Sequence, residues 1–420
     1  MIQDSIVPFL FSLCVFSLSL IVFKDRYKWF VFSISVYLST MAESQTEWMD
    51  NRLIGPLETL RHFSRPISFA GIVALILVTL FTKKINFKAS KATVLLLILQ
   101  IYLMLREVMI PNNESVIYRI LIYATIFILM AIIFPQWINT NIELVTFVKS
   151  IVWTGMIFVL VTCLQLFYDP AAIIWDGRLL GTTGNAQHAA TILSLMIIPT
   201  IWLTKVSRDG INRFFWRIMT FIFMYFLFWT GSRNGFLMLG IGLLFYFRKN
   251  SKKLLVVSTF IYFLIVLMAS YINTSDAIHH ISGNTENTRS VIWATLFNQF
   301  YDHPLIGVPM DKIEYSECSY LLIAARGGIV ALILLFGFIN ASLRESYFLL
   351  NVKMEGLVFK SISDLLFSSI LAYFTGALFE GYLISNLAFP IFFIYLMLAG
   401  TSAIRKHIRI STTPLKLGNN

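Results

Sequence analysis

Apolar residues fill long runs of the chain, separated by short polar intervals. Runs long enough to cross about 30 Å of hydrocarbon fall near residues 5–23, 29–42, 67–82, 92–110, 116–134, 145–168, 189–205, 214–230, 234–247, 254–272, 319–340, 361–382 and 386–404. The pattern predicts an all-α, polytopic membrane protein of about twelve to thirteen transmembrane helices, forming one integral membrane domain over residues 1–420. One polar interval in the second half is long, from Tyr271 to Ser319, and is expected to be an external loop, helical in part. A connection of that length without a spanning segment of its own is more often functional than a mere link. No internal repeat or low-complexity tract interrupts the pattern.

Composition agrees with the pattern: 57% of residues are hydrophobic and only 13% charged, and the mean hydropathy is +0.76. A soluble core is thereby excluded. The N-terminal run has neither a basic leader nor a small-residue cleavage pattern, so it is expected to stay as a spanning helix. The cysteines Cys14, Cys163 and Cys318 are far apart and odd in number, which implies no disulfide framework and no thiolate metal site. A net charge of +11 could point to nucleic acid, but the charges lie in short loops and report topology instead. Lys24, Arg26, Lys28, Lys83, Lys84, Lys88, Lys91, Lys149, Lys205, Arg208, Arg213, Arg217, Arg248, Lys249, Lys252, Lys253, Arg344, Lys353, Lys360, Arg405, Lys406, Arg409 and Lys416 all fall on one side. That side is expected to be cytoplasmic, with the 405–420 tail on it and the 271–319 loop opposite.

The basic residues that break this rule carry more information. Arg52, Arg61, Arg65, Arg178, Arg233, Arg289 and Lys312 map to the outer side, and Arg106, Arg119 and Arg326 lie within helices. Nearly all are arginine, whereas the inner loops are mostly lysine. Orienting a helix needs only charge, but a planar guanidinium fork can hold phosphate oxygens bidentately. Arg106, Glu107, Arg119, Arg326 and Glu380 map to the outer part of the bilayer, where an ionisable group is costly and marks a site by default. For Arg106 and Glu107, snorkelling or a local pair fits as well.

Several short motifs lie on the outer side. The chain reads Gly177-Arg178-Leu179-Leu180-Gly181-Thr182-Thr183-Gly184-Asn185-Ala186-Gln187-His188, then Thr230-Gly231-Ser232-Arg233-Asn234-Gly235. In and after the loop come Thr288-Arg289-Ser290-Val291-Ile292-Trp293, Asp302-His303-Pro304-Leu305-Ile306-Gly307, Glu317-Cys318-Ser319-Tyr320-Leu321 and Gly327-Gly328. In order, spacing and placement, this set resembles the superfamily of O-antigen polymerases and O-antigen ligases over roughly residues 177–331. The resemblance implies an inner-membrane glycosyltransferase of a bacterium, working on the periplasmic face. Its donor and acceptor would be oligosaccharides on undecaprenyl pyrophosphate, with a chain-length regulator as a possible protein partner. It also implies that Arg233 and Arg289 grip the pyrophosphate. The ligase branch carries a His-Asn pair nine residues before a glycine, and here that pair falls on Glu317-Cys318. The missing histidine points to a polymerase.

The chemistry can be reasoned from residues alone. Breaking an anomeric carbon–pyrophosphate bond needs charge neutralised on the leaving group and a proton taken from the attacking hydroxyl. No Asp-x-Asp metal motif is present, so no metal or other cofactor is expected, and preorganised arginines would supply the electrostatic stabilisation. Arg178 and Arg326 join Arg233 and Arg289 as pyrophosphate ligands. Glu317 is the favoured base, with Glu314, Asp311 and Glu380 as alternatives. Asn185, Gln187, His188, Trp293, His303 and Tyr320 are candidate glycan contacts.

Each has a structural alternative. Arg233 could cap its turn, Arg289 could pair with Glu286, and Arg178 could anchor at lipid headgroups. Glu317 could cap the following helix, Trp293 could sit at the interface, and His303 could be a turn residue. Gln187 and His188 could fill the helix entry, and Gly327-Gly328 could allow close helix packing. Two other functions compete with the polymerase: a ligase to lipid A core or protein, and a flippase or transporter of the lipid-linked unit. Transporters favour internal repeats and midplane sites, which the sequence does not show.

Overall fold

The computed structural model describes residues 2–23, 27–42, 53–82, 85, 89–108, 115–250, 288–313, 317–352, 357–384, 387–412 and a few positions between 252 and 259. Every predicted apolar run forms a helix except 254–272, which lies almost wholly outside the described residues. The helices are α1 Ile2–Phe23, α2 Lys28–Ala42, α3 Gly55–Thr82, α4 Lys91–Val108, α5 Ser115–Phe127, α6 Phe134–Trp137, α7 Asn141–Tyr168, α8 Ala186–Val206, α9 Gly210–Trp229 and α10 Arg233–Tyr246. They continue with α11 Thr288–Asp302, α12 Ser319–Asn351, α13 Leu357–Gly376 and α14 Phe389–Thr412. A π-helical turn, Ile128–Ile133, joins α5 to α6. The only described sheet is a two-stranded hairpin, β1 Ile174–Trp175 and β2 Arg178–Leu179.

Among the described residues, eight helical segments are long and apolar enough to cross a membrane. The other runs fall short for visible reasons: α2 and α10 have 15 and 14 residues, and the 18 residues of α4 include Lys91, Arg106 and Glu107. Helix α14 is the central post, with Ile391 to Ala399 all at most 1% exposed. At the periphery, α1 shows Val7 and Phe11 at 72% and 70%, and α9 shows Phe221 at 75%. Such apolar outer faces suit contact with lipid.

Side-chain bonds between helices define the two ends of the bundle. Ala92 N at the start of α4 donates to Glu345 Oε1 late in α12, while Tyr102 OH donates to Gly327 O early in α12, so these helices are antiparallel. Ser232 and Gln187 join the starts of α10 and α8. Arg248, past the end of α10, pairs with Asp364 early in α13 at 2.6 Å, and Arg405 of α14 pairs with Glu345 at 3.5 Å. One end therefore gathers the N-termini of α8, α10 and α12 with the C-termini of α4 and α13. The other carries Lys91, Arg248, Lys249 and Arg405.

Helix α12 is broken at Gly328, whose φ/ψ of 60°/−155° belongs to almost no residue but glycine. The break frees the Ala325 carbonyl and the Ile329 amide, and the Asp302–Gly307 turn supplies both replacements. Val308 N donates to Ala325 O at 2.7 Å, and Ile329 N donates to Pro304 O at 2.8 Å. The Asp302–Val308 segment is thus stitched into α12. A Cβ at Gly328 would overlap the Leu305 carbonyl and lie 2.6 Å from Ile306 N; one at Gly307 would lie 2.6 Å from Gly327 N. Close packing of the Gly327-Gly328 pair is real, since a Cβ at Gly327 would sit 2.8 Å from Leu103, but Gly328 also ends one helical stretch and begins another. Gly328→Ala is expected to lose at least about 1–3 kcal/mol from backbone strain alone; its unfolding midpoint in detergent should fall well below that of Gly337→Ala, whose added methyl meets only Leu95 at 3.8 Å.

Candidate functional site

The starts of α8 and α10 lie side by side, and local sequence explains each. Asn185 caps α8, its Oδ1 accepting from Gln187 N at 2.8 Å and His188 N at 3.3 Å. Ser232 caps α10, its Oγ accepting from Gly235 N at 3.3 Å. The two are bridged where Ser232 Oγ donates to Gln187 Oε1 at 2.5 Å. Two helices of 21 and 14 residues therefore aim the positive ends of their dipoles at one place. Oriented amides at such ends favour an anion.

Both arginines of this region belong to the same corner. The Asp176-Gly177 dipeptide, with φ of 50° and 68°, closes the β1–β2 hairpin and pairs Trp175 with Arg178. The hairpin turns Arg178 toward the α9–α10 connection, where its Nε donates to Thr230 O at 2.9 Å. Burial pushes the Arg178 guanidinium below the usual arginine range; Asp176 raises it, and Arg233 lowers it again. Thr230 is three residues before Arg233, so the bond from Arg178 to Thr230 O brings the two positive charges into one neighbourhood. Arg233 itself is exposed on the first turn of α10. A doubly charged anion between them would relieve their repulsion.

A second cluster surrounds the start of α12. Cys318, with φ of 60°, occupies the cap position without a side-chain cap bond. Instead Ser319 N donates to Ala377 O at 2.9 Å and Glu380 O at 3.1 Å, and Ser319 Oγ donates to Glu380 O at 2.5 Å. Leu383 N returns a bond to Ser319 Oγ, and Tyr320 OH donates to Phe374 O at 2.9 Å. Half-buried Glu317 thus sits beside the turn that follows α13, and Glu380 is held in that turn by its backbone. Trp293 of α11 packs against Phe379 of the same turn, ring centroids 6.1 Å apart. The two clusters adjoin through α13, because Gly376 lies against Met238 of α10.

Other candidates fall elsewhere. Arg326, 5% exposed, is ion-paired with buried Glu107, which also holds Arg119 at 2.9 Å. Arg106 Nη2 donates to Gly307 O at 3.0 Å, tying α4 to the Asp302–Gly307 turn. His303 and Asp311 are exposed, the former in the Pro304 turn. Arg289 begins α11, but its side chain, like the whole of Glu314 and Glu286, lies outside the described residues. Among the described residues no three His, Cys, Asp or Glu side chains are grouped as a metal site would require.

Sequence patterns did not single out Asn234. It is 5% exposed, and neither Oδ1 nor Nδ2 has a hydrogen-bond partner among the described residues. Leaving a buried polar group unpaired costs about 1–3 kcal/mol. Its one sequence signal is its place beside Arg233 in Thr230-Gly231-Ser232-Arg233-Asn234-Gly235. No protein-family model matches the chain, and no curated protein matches it either.

Proposed function

We propose that this protein is a membrane glycosyltransferase that polymerises undecaprenyl-pyrophosphate-linked repeat units of O-antigen or a related surface polysaccharide. The observation that carries the reading is the joining of the α8 and α10 N-termini by Ser232 and Gln187, with Arg233 on the first turn of α10 and Arg178 bound to Thr230 O just before it. Two guanidinium groups and two helix ends form a site suited to a diphosphate. In the reaction the acceptor hydroxyl gives its proton to the Glu317 carboxylate as its oxygen bonds to the anomeric carbon. The anomeric carbon–oxygen bond breaks, and its electron pair leaves on the pyrophosphate, whose charge Arg233, Arg178 and Arg289 neutralise. The topology that goes with this reading places the Lys91–Arg405 end and the C-terminal tail in the cytoplasm. The arginine end then faces the periplasm across the inner membrane.

The test is deletion of the gene in its host, with the surface polysaccharide resolved by chain length. A polymerase leaves core capped by single repeat units and no long chains. Complete loss of attached glycan, with long chains kept on the lipid carrier, would make it a ligase. Single units trapped on the cytoplasmic leaflet would make it a transporter.

A further inference from the structure

Asn234 is the buried polar residue of this corner that the reading above leaves unused. Buried carboxamides are nearly always hydrogen-bonded, yet this one, 5% exposed, offers an acceptor and donors that none of the described residues takes up. Its own helix has no need of it. Gly235 N is served by Ser232 Oγ, and Phe236 N by Ser232 O at 3.3 Å. Register fixes where it faces. Met238, one turn on and on the same face, receives Ser194 Oγ at 3.8 Å on its sulfur and packs against Gly376. Asn234 therefore lies on the face of α10 that packs between α8 and the end of α13, one turn nearer the arginine end, with Arg233 next to it in sequence and the turn that follows α13 close by.

We infer that Asn234 is a sugar-binding residue, its carboxamide taking a hydroxyl or acetamido group of the sugar attached directly to a diphosphate held by Arg233 and Arg178. The inference rests on the diphosphate reading of that corner. A phosphate oxygen only accepts, so it could satisfy the amide donors and leave Oδ1 unpaired. A prenyl chain offers neither donor nor acceptor. A ring hydroxyl or an acetamido group both donates and accepts, and the sugar next to the diphosphate is the first part of a lipid-linked glycan that carries one. The residue beside the phosphate-gripping arginine is therefore placed to read the first sugar.

The experiment measures thermal unfolding of the full chain in detergent for wild type, Asn234→Leu and Asn234→Ala. Each shift is taken against the same variant's unliganded midpoint, so basal stability drops out. Farnesyl diphosphate should raise all three midpoints equally. Farnesyl diphosphate bearing N-acetylglucosamine on its terminal phosphate should raise the wild type further and the variants no further. Titration should show about a ten-fold weaker Kd for the sugar-bearing compound in the variants, the loss of one good hydrogen-bonded contact. The same added shift in wild type and in either folded variant would overturn the assignment. No shift from either compound in the wild type would instead overturn the diphosphate reading beneath it.

Discussion

Arg233→Lys is expected to slow glycan transfer sharply while leaving the amount of folded protein unchanged. Arg233 is exposed on the first turn of α10, so its replacement removes no packing. Lysine keeps the charge and loses the two parallel N–H groups that match a pair of phosphate oxygens. The alanine variant sets the scale: removing one preorganised donor to developing charge costs about 10²–10³ in turnover. Charge builds on the pyrophosphate as the glycosidic bond breaks, so kcat should fall more than KM rises. Elongation of lipid-linked repeat units by purified protein gives the rates, and circular dichroism confirms the fold. Wild-type elongation by the lysine variant would remove the bidentate grip from the mechanism. Arg178 offers a second reading of the same corner. It already gives Nε to Thr230 O, so only its terminal nitrogens remain for a ligand, and its loss should also disturb the loop that presents Arg233.

The helices were legible because a membrane leaves no other way to satisfy the backbone. Runs such as 145–168 and 189–205 became α7 and α8 within a few residues. What the runs hid is local. The 319–340 run reads as one continuous stretch, yet Gly328 divides it, because the partners for its freed backbone groups come from residues 304 and 308, before the helix begins. No helical periodicity contains that information.

The corner was legible in part. Arg178 and Arg233 stand out in the sequence as arginines that break the charge pattern of the loops, and the hairpin binds Arg178 to Thr230 O, three residues before Arg233. Gln187 was marked as a sugar contact or helix filler, and in the structure it ties α8 to Ser232. Arg326 was legible only as a costly intramembrane charge. Its partner Glu107 lies 219 residues away, a pairing fixed by the antiparallel contact of α4 with α12. Asn234 was legible only as the neighbour of Arg233 in its motif, since an asparagine after an arginine is ordinary until burial shows it unsatisfied.

Glu107→Ala should be among the most damaging single changes in the protein. Glu107 is 1% exposed and binds two cations, Arg326 from α12 and Arg119 from α5, so three helices meet at one carboxylate. Its removal leaves Arg326, 5% exposed, without a counter-charge, a loss of about 3–5 kcal/mol. The strain would spread to the Asp302–Gly307 turn, because Arg106, the preceding residue on α4, holds Gly307 O beside the Gly328 break. The double variant Glu107→Leu with Arg326→Met separates structure from chemistry. Replacing a buried ion pair by apolar side chains of similar volume is often neutral or stabilising, so the double variant should melt far closer to wild type than Glu107→Ala. Arg119 is one-third exposed and can reach solvent once its partner is gone. If the double variant also elongates lipid-linked glycan at the wild-type rate, Arg326 is a clasp between helices and takes no part in gripping pyrophosphate. A well-folded double variant with lost turnover would return Arg326 to the diphosphate site, and an unfolded one would show that the charge pair itself specifies how α4 meets α12.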